Sequence, residues 1–128
     1  MNRLIVALTS AALVSVFPNL GAAADQPETV MVTFRAKPGT EAELARVIAS
    51  HWRTARELDL VTSAPHVTLR GTEDGNKTYF VAVFTWRDAS IPDAAPAAIQ
   101  RIWSQMNALV ESRGGRPGLH FEEVSVVE

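Results

Sequence analysis

An α+β fold with a mainly antiparallel sheet is predicted by three features of the 128-residue sequence. "TVMVTFRAK" and "TYFVAVFTW" are rich in β-branched and aromatic residues; between and after them run two stretches with helical spacing of apolar residues; and Pro and Gly punctuate every junction. At 47% hydrophobic and 20% charged, the chain can bury one compact core. Its formal charge is −2 and its Lys and Arg are scattered singly, so the basic stripe that a nucleic acid requires is absent.

The first strand is expected over Thr29 to Lys37, ending at Pro38-Gly39, a pair that turns the chain. Thr40 stands three residues before Glu43, the spacing of a capping box, so a helix is expected to begin there. Its apolar positions Leu44, Val47, Ile48, Ala55 and Leu58 keep helical period to about Leu60. His51 falls in a gap of that stripe. After a break at Val61 to Ala64, Pro65 opens a second strand, "HVTLRG", with Val67 and Leu69 on one face and His66, Thr68 and Arg70 on the other.

"TEDGNK" is a turn, and it leads to a third strand, Thr78 to Trp86, apolar on both faces and so expected to be covered on both. A second helix carries Ile99, Ile102, Trp103, Met106, Leu109 and Val110 and is expected to stop at Gly114-Gly115. Leu119 to Val127 is the expected fourth strand. The order strand, helix, strand, strand, helix, strand makes two βαβ halves, the ferredoxin-like arrangement: a four-stranded antiparallel sheet, order 4-1-3-2, with both helices on one face. The other face is apolar and has no cover within one chain, which predicts a homodimer packed sheet to sheet.

Residues 1 to 24 differ in character. Arg3 gives a positive start, Leu4 to Phe17 form an apolar run, and Ala22 and Ala24 supply the small residues that a signal peptidase accepts. The run is shorter than the roughly 20 residues that span a bilayer. The expectation is a cleaved export signal, a mature domain over residues 25 to 128, a periplasmic or secreted location, and no membrane association after cleavage. There is no Cys, hence neither a disulfide nor a lipid-anchored Cys.

"TVMVTFRAKPGTEAELARVI", "YFVAVFTWRDAS" and the closing "WSQMNALVE" with "LHFEEVSVV" resemble the antibiotic-biosynthesis monooxygenase type of dimeric α/β barrel. The resemblance covers most of residues 29 to 127. It implies a homodimer with one pocket per subunit, and in one branch oxygenation without metal or flavin. In the haem-degrading branch the Trp that ends the third strand, here Trp86, works with an Asn on the first strand and a His early in the second helix. This chain has Thr33 and Phe34 in that strand and no His from Ser90 to Gln105, so no cofactor is expected.

His51 is the candidate catalytic residue, because a neutral imidazole can take a proton from a phenol or enol, whose anion then meets oxygen. The competing reading is a histidine at the core edge, bonded to a carbonyl or water. Trp86, Trp103, Trp52, Arg35 and His66 are the candidate binding residues for a small hydrophobic or aromatic molecule, although Trp103 in its apolar stripe also reads as core. A metal shared by His66, His120 and Glu122 within one chain is excluded by the expected strand order, which sets their strands on the order of 14 Å apart.

No nucleophile elbow, dinucleotide loop or phosphate loop occurs. The sequence thus leaves three functions open: a cofactor-free monooxygenase of aromatic or quinone-like compounds, a non-catalytic binding protein, and a structural dimer whose core leaves no cavity beside His51.

Overall fold

The computed structural model describes residues 26–128, so the expected export signal lies outside the described residues. The elements are β1 (Glu28–Arg35), α1 (Glu41–Glu57), β2 (Val61–Glu73), β3 (Lys77–Trp86), a short 3-10 turn (Ile91–Ala94), α2 (Ala97–Ala108) and β4 (Leu119–Glu123). The sheet has the order β2-β3-β1-β4 and is antiparallel throughout. This is the ferredoxin-like fold that the element order predicts.

Alternation decides which residues meet the helices. Val30, Val32 and Phe34 of β1 are buried together with Phe80, Ala82, Phe84 and Trp86 of β3, while the odd-numbered residues between them, apart from the buried Thr85, are only half-buried. From the other side α1 contributes Leu44, Ile48, His51 and Ala55, and α2 contributes Ile99, Ile102 and Met106. The α1 spacing of four, three and four residues is one helical stripe. His51 therefore continues the stripe that the sequence reading left interrupted, whereas Leu58, assigned to it, is 45% exposed.

Several expected boundaries shift for identifiable reasons. Thr40 makes no capping box; its hydroxyl donates instead to the carbonyls of Lys37 at 2.8 Å and Leu109 at 3.1 Å, while Glu41 accepts the Gly39 amide. β2 begins at Val61, before Pro65, because Val61 pairs with Trp86 across an irregularity that ends at His66. α2 stops at Ala108 because Val110 bridges Ala36 and the Glu111 amide donates to the Arg35 carbonyl. β4 ends at Glu123, opposite Val30, where its partner strand β1 nears its own start.

The loop from α2 to β4 is anchored by charge. Glu73 accepts from Arg35 at 2.9 Å, Arg116 at 2.9 Å and the buried Arg113 at 3.3 Å; Arg113 also meets Glu111 at 3.1 Å and the carbonyls of Thr78 and Ala36. At the end of this loop a Cβ on Gly118 would stand 2.8 Å from the backbone of Glu111. Backbone cannot swing aside as a side chain does. Gly118→Ala is therefore expected to destabilise the fold by about 2 kcal/mol, as overpacking does, read as a lower urea midpoint. A shift smaller than about 0.5 kcal/mol would mean that the loop adapts freely.

Candidate functional site

The sheet and the two helices do not close completely upon each other. Between them lies a cavity of about 620 Å³ that opens to the surface. That volume is within the range of small-molecule sites. Its wall comes from the inward face of β1 and β3, from Ile48, His51 and Trp52 of α1, and from Trp103, Met106 and Asn107 of α2. A core filled around His51, which the structural-dimer reading requires, is ruled out.

His51 is 6% exposed and borders this space. Its ring centroid lies 5.6 Å from that of Phe84 and 5.8 Å, edge-on, from that of Trp86. The Trp103 indole N–H donates to His51 Nε2 at 3.0 Å, and the two rings lie nearly parallel. The three aromatic rings and the imidazole make one apolar wall with a polar point. Burial pulls the imidazole pKa from 6.5 down to about 4, because the charged form loses its water and gains no anionic partner in return.

That environment bears on the role expected of His51. A general base works best with a pKa near the operating pH and with a free lone pair toward the substrate. Here the pKa is well below neutrality, and the Nε2 lone pair already receives the Trp103 proton. The residue sits at the site as a buried imidazole whose Nε2 accepts from Trp103.

The other candidates divide. Trp86 is 4% exposed and packs edge-on against Phe84 and Trp103 while bordering the cavity, so packing and pocket-shaping are one role for it. Trp103 belongs to the cavity wall and not to the sealed core. Trp52 stacks flat on His66, centroids 3.7 Å apart and planes within 5°, and both line the cavity. Desolvation also lowers the pKa of His66.

Arg35 does not reach the cavity: it pairs with Tyr79 on the side of the sheet away from the helices, and its guanidinium is bound to Glu73 and to the Pro117 carbonyl. His120 and Glu122 touch each other at 3.2 Å on β4, at the sheet edge opposite β2 and His66. Among the described residues no three His, Cys, Asp or Glu side chains converge as metal ligands.

Sequence reasoning did not single out Phe84 or Asn107 as site residues. Phe84 was the more legible of the two, since it precedes Trp86 by two residues and so shares its face. Asn107 carries no such signal, because its place depends on how α2 lies over the sheet.

Fold and site together define a ferredoxin-like α+β protein with an aromatic cavity between sheet and helices. Solved structures of the same architecture include SnoaB, a cofactor-independent oxygenase from Streptomyces nogalater, with 20% identity over 82% of this chain and 96% of that one and a TM-score of 0.58. An antibiotic biosynthesis monooxygenase matches with 15% identity over 80% of this chain and all of that one, TM-score 0.58. A dimeric ferredoxin-like protein of unknown function from Jannaschia matches with 17% identity over 79% of this chain and all of that one, TM-score 0.54.

No family model matches the sequence, and no curated protein does. At these identities the likeness is one of fold. It is the fold of the monooxygenase-like group that the sequence resembles.

Proposed function

We propose that the protein is a cofactor-independent monooxygenase that acts, as an exported homodimer, on a small aromatic or quinone-like molecule held in the cavity. The observation that carries this reading is the cavity itself: about 620 Å³, open at one side and walled by Phe84, Trp86, Trp103 and His51. A flat ring fits between such faces, and offset or edge-on aromatic contacts would orient it. In the reaction the substrate supplies its own electrons; one atom of dioxygen enters the ring and the other leaves as water. The wall supplies position and exclusion of solvent.

The test is oxygen uptake on a panel of quinols and anthrone-like phenols by the wild-type protein and by Ala82→Phe. Ala82 is buried on the cavity wall, so the added ring would occupy that space while His51 and Trp103 stay in the sequence unchanged. Turnover is expected in the wild type and a loss of at least about tenfold in the variant, the effect of displacing a substrate from its reactive position. Tight binding with no oxygen uptake by any member of the panel would favour the non-catalytic binding protein, a reading that gains support from the occupied lone pair of His51.

The dimer rests on the other face of the sheet. Met31, Val81 and Val83 are only half-buried there, and the neighbouring Val67 and Leu69 on β2 are 42% and 57% exposed. Tyr79 lies over Gly71 on the same surface. Apolar area of this kind is costly in water and is the usual mark of an interface. In sedimentation velocity the wild type is expected to run as a dimer and the double variant Val67→Lys, Leu69→Lys as a folded monomer. A wild type that is monomeric at all concentrations would remove this part of the proposal.

Export rests on residues 1 to 24. Mass spectrometry of the exported protein is expected to find a chain beginning at Asp25; a retained Met1 would argue against cleavage.

A further inference from the structure

The Trp103–His51 contact says more about the ligand than the aromatic wall does. An indole nitrogen is a donor and never an acceptor, so His51 Nε2 must present its lone pair to Trp103. A ring that stays neutral then carries its single proton on Nδ1. Among the described residues the Trp103 bond is the only hydrogen bond of this imidazole, and no buried side-chain nitrogen or oxygen is left without a partner. Nδ1 is consequently not sealed in the protein. The space that the side chain borders is the cavity.

The rest of the wall narrows the chemistry. Around His51 stand Ile48, Phe84 and Trp86, none of which offers a polar atom that competes for the Nδ1 proton, apart from the indole N–H of Trp86, itself a donor. The lining includes four acidic residues, Glu28, Asp93, Glu122 and Glu123, and no Lys or Arg. An anionic ligand would find no lysine or arginine in that lining to pair with.

We infer that His51 is a hydrogen-bond donor to the ligand: Trp103 fixes the ring so that Nδ1–H is offered to the cavity, and the site selects neutral aromatic molecules that carry a carbonyl oxygen. The inference rests on the reading of the cavity as a ligand site and names the class of molecule that fills it. His51 determines specificity, and Trp103 is a positioning residue that acts through it. The low pKa of His51 agrees with this, since the same neutral ring persists across the physiological range.

Three probes of one shape separate the possibilities: naphthoquinone, naphthalene and naphthoate, titrated into the full protein and followed by tryptophan fluorescence. The wild type is expected to bind naphthoquinone about tenfold more tightly than naphthalene, the difference one desolvated hydrogen bond makes, and to bind naphthoate most weakly. His51→Phe keeps the aromatic volume and is expected to equalise naphthoquinone and naphthalene.

Nitrogen-15 NMR of the unsubstituted protein tests the premise without a variant: at neutral pH the His51 proton should reside on Nδ1, and in Trp103→Phe both tautomers should appear. Equal binding of naphthoquinone and naphthalene by the wild type, or a proton found on Nε2, overturns the inference and leaves the cavity reading standing. Failure to bind any of the three overturns both.

Discussion

Replacing Arg113 with Met is expected to destabilise the protein by about 3 kcal/mol, within the range for removing one partner of a buried ionic network. The guanidinium is 3% exposed and is held by Glu73, Glu111 and the carbonyls of Ala36 and Thr78. Met preserves much of the stem's packing, so the loss isolates the head group. Glu73 would keep Arg35 and Arg116 at 2.9 Å each and would remain well neutralised.

The Ala36 carbonyl and Glu111 lose their shared donor, the Thr78 carbonyl keeps only the Ala36 amide, and these lost bonds are what cost free energy. Because one planar fork serves several acceptors, Arg113→Lys is expected to recover only a small part. The measurement is urea unfolding at neutral pH. A loss below about 1 kcal/mol would show that the loop between α2 and β4 is held by its backbone bonds alone.

Acid should weaken the fold through His51, with a clear sign. Its pKa is about 4 in the folded state and near 6.5 when the chain is unfolded. Between those values the unfolded chain binds a proton that the folded chain refuses, so stability rises with pH across this window. The contribution is fully present above about pH 6.5, is lost as pH falls toward 4, and amounts to about 3 kcal/mol.

Acid acts on the whole chain, so the informative quantity is the difference between wild type and His51→Phe. Unfolding free energies at about pH 7 and about pH 4.5 should fall more steeply in the wild type than in the variant. Parallel curves would mean that the imidazole is hydrated inside the cavity and its pKa is near the ordinary value. The same result would weaken the donor assignment, since a charged ring cannot accept from Trp103.

The elements that were legible in the sequence are those with one strong local cause. β1 and β3 follow from alternation of β-branched and aromatic residues, and the α1 stripe follows from helical period. The ends were less legible. α2 runs out at Ala108 although Leu109 and Val110 extend its apolar pattern, because pairing of Val110 with Ala36 competes and wins. The capping box at Thr40 failed for a similar reason: the Leu109 carbonyl, 69 residues away, is an acceptor that no local pattern announces.

The site divides in the same way. By itself the sequence determined the antiparallel α+β class, the order of the strands, the face of β3 that Phe84 and Trp86 share, and the candidacy of His51. These depend on period and composition, which act over a few residues. Only the tertiary structure decided that His51 meets a cavity, that Arg35 belongs to an ionic cluster on the far side, and that the imidazole at position 51 accepts from Trp103. The physical reason is that a pKa and a tautomer are set by what surrounds a ring in three dimensions. For His51 the decisive neighbour is Trp103, 52 residues along the chain and 3.0 Å away.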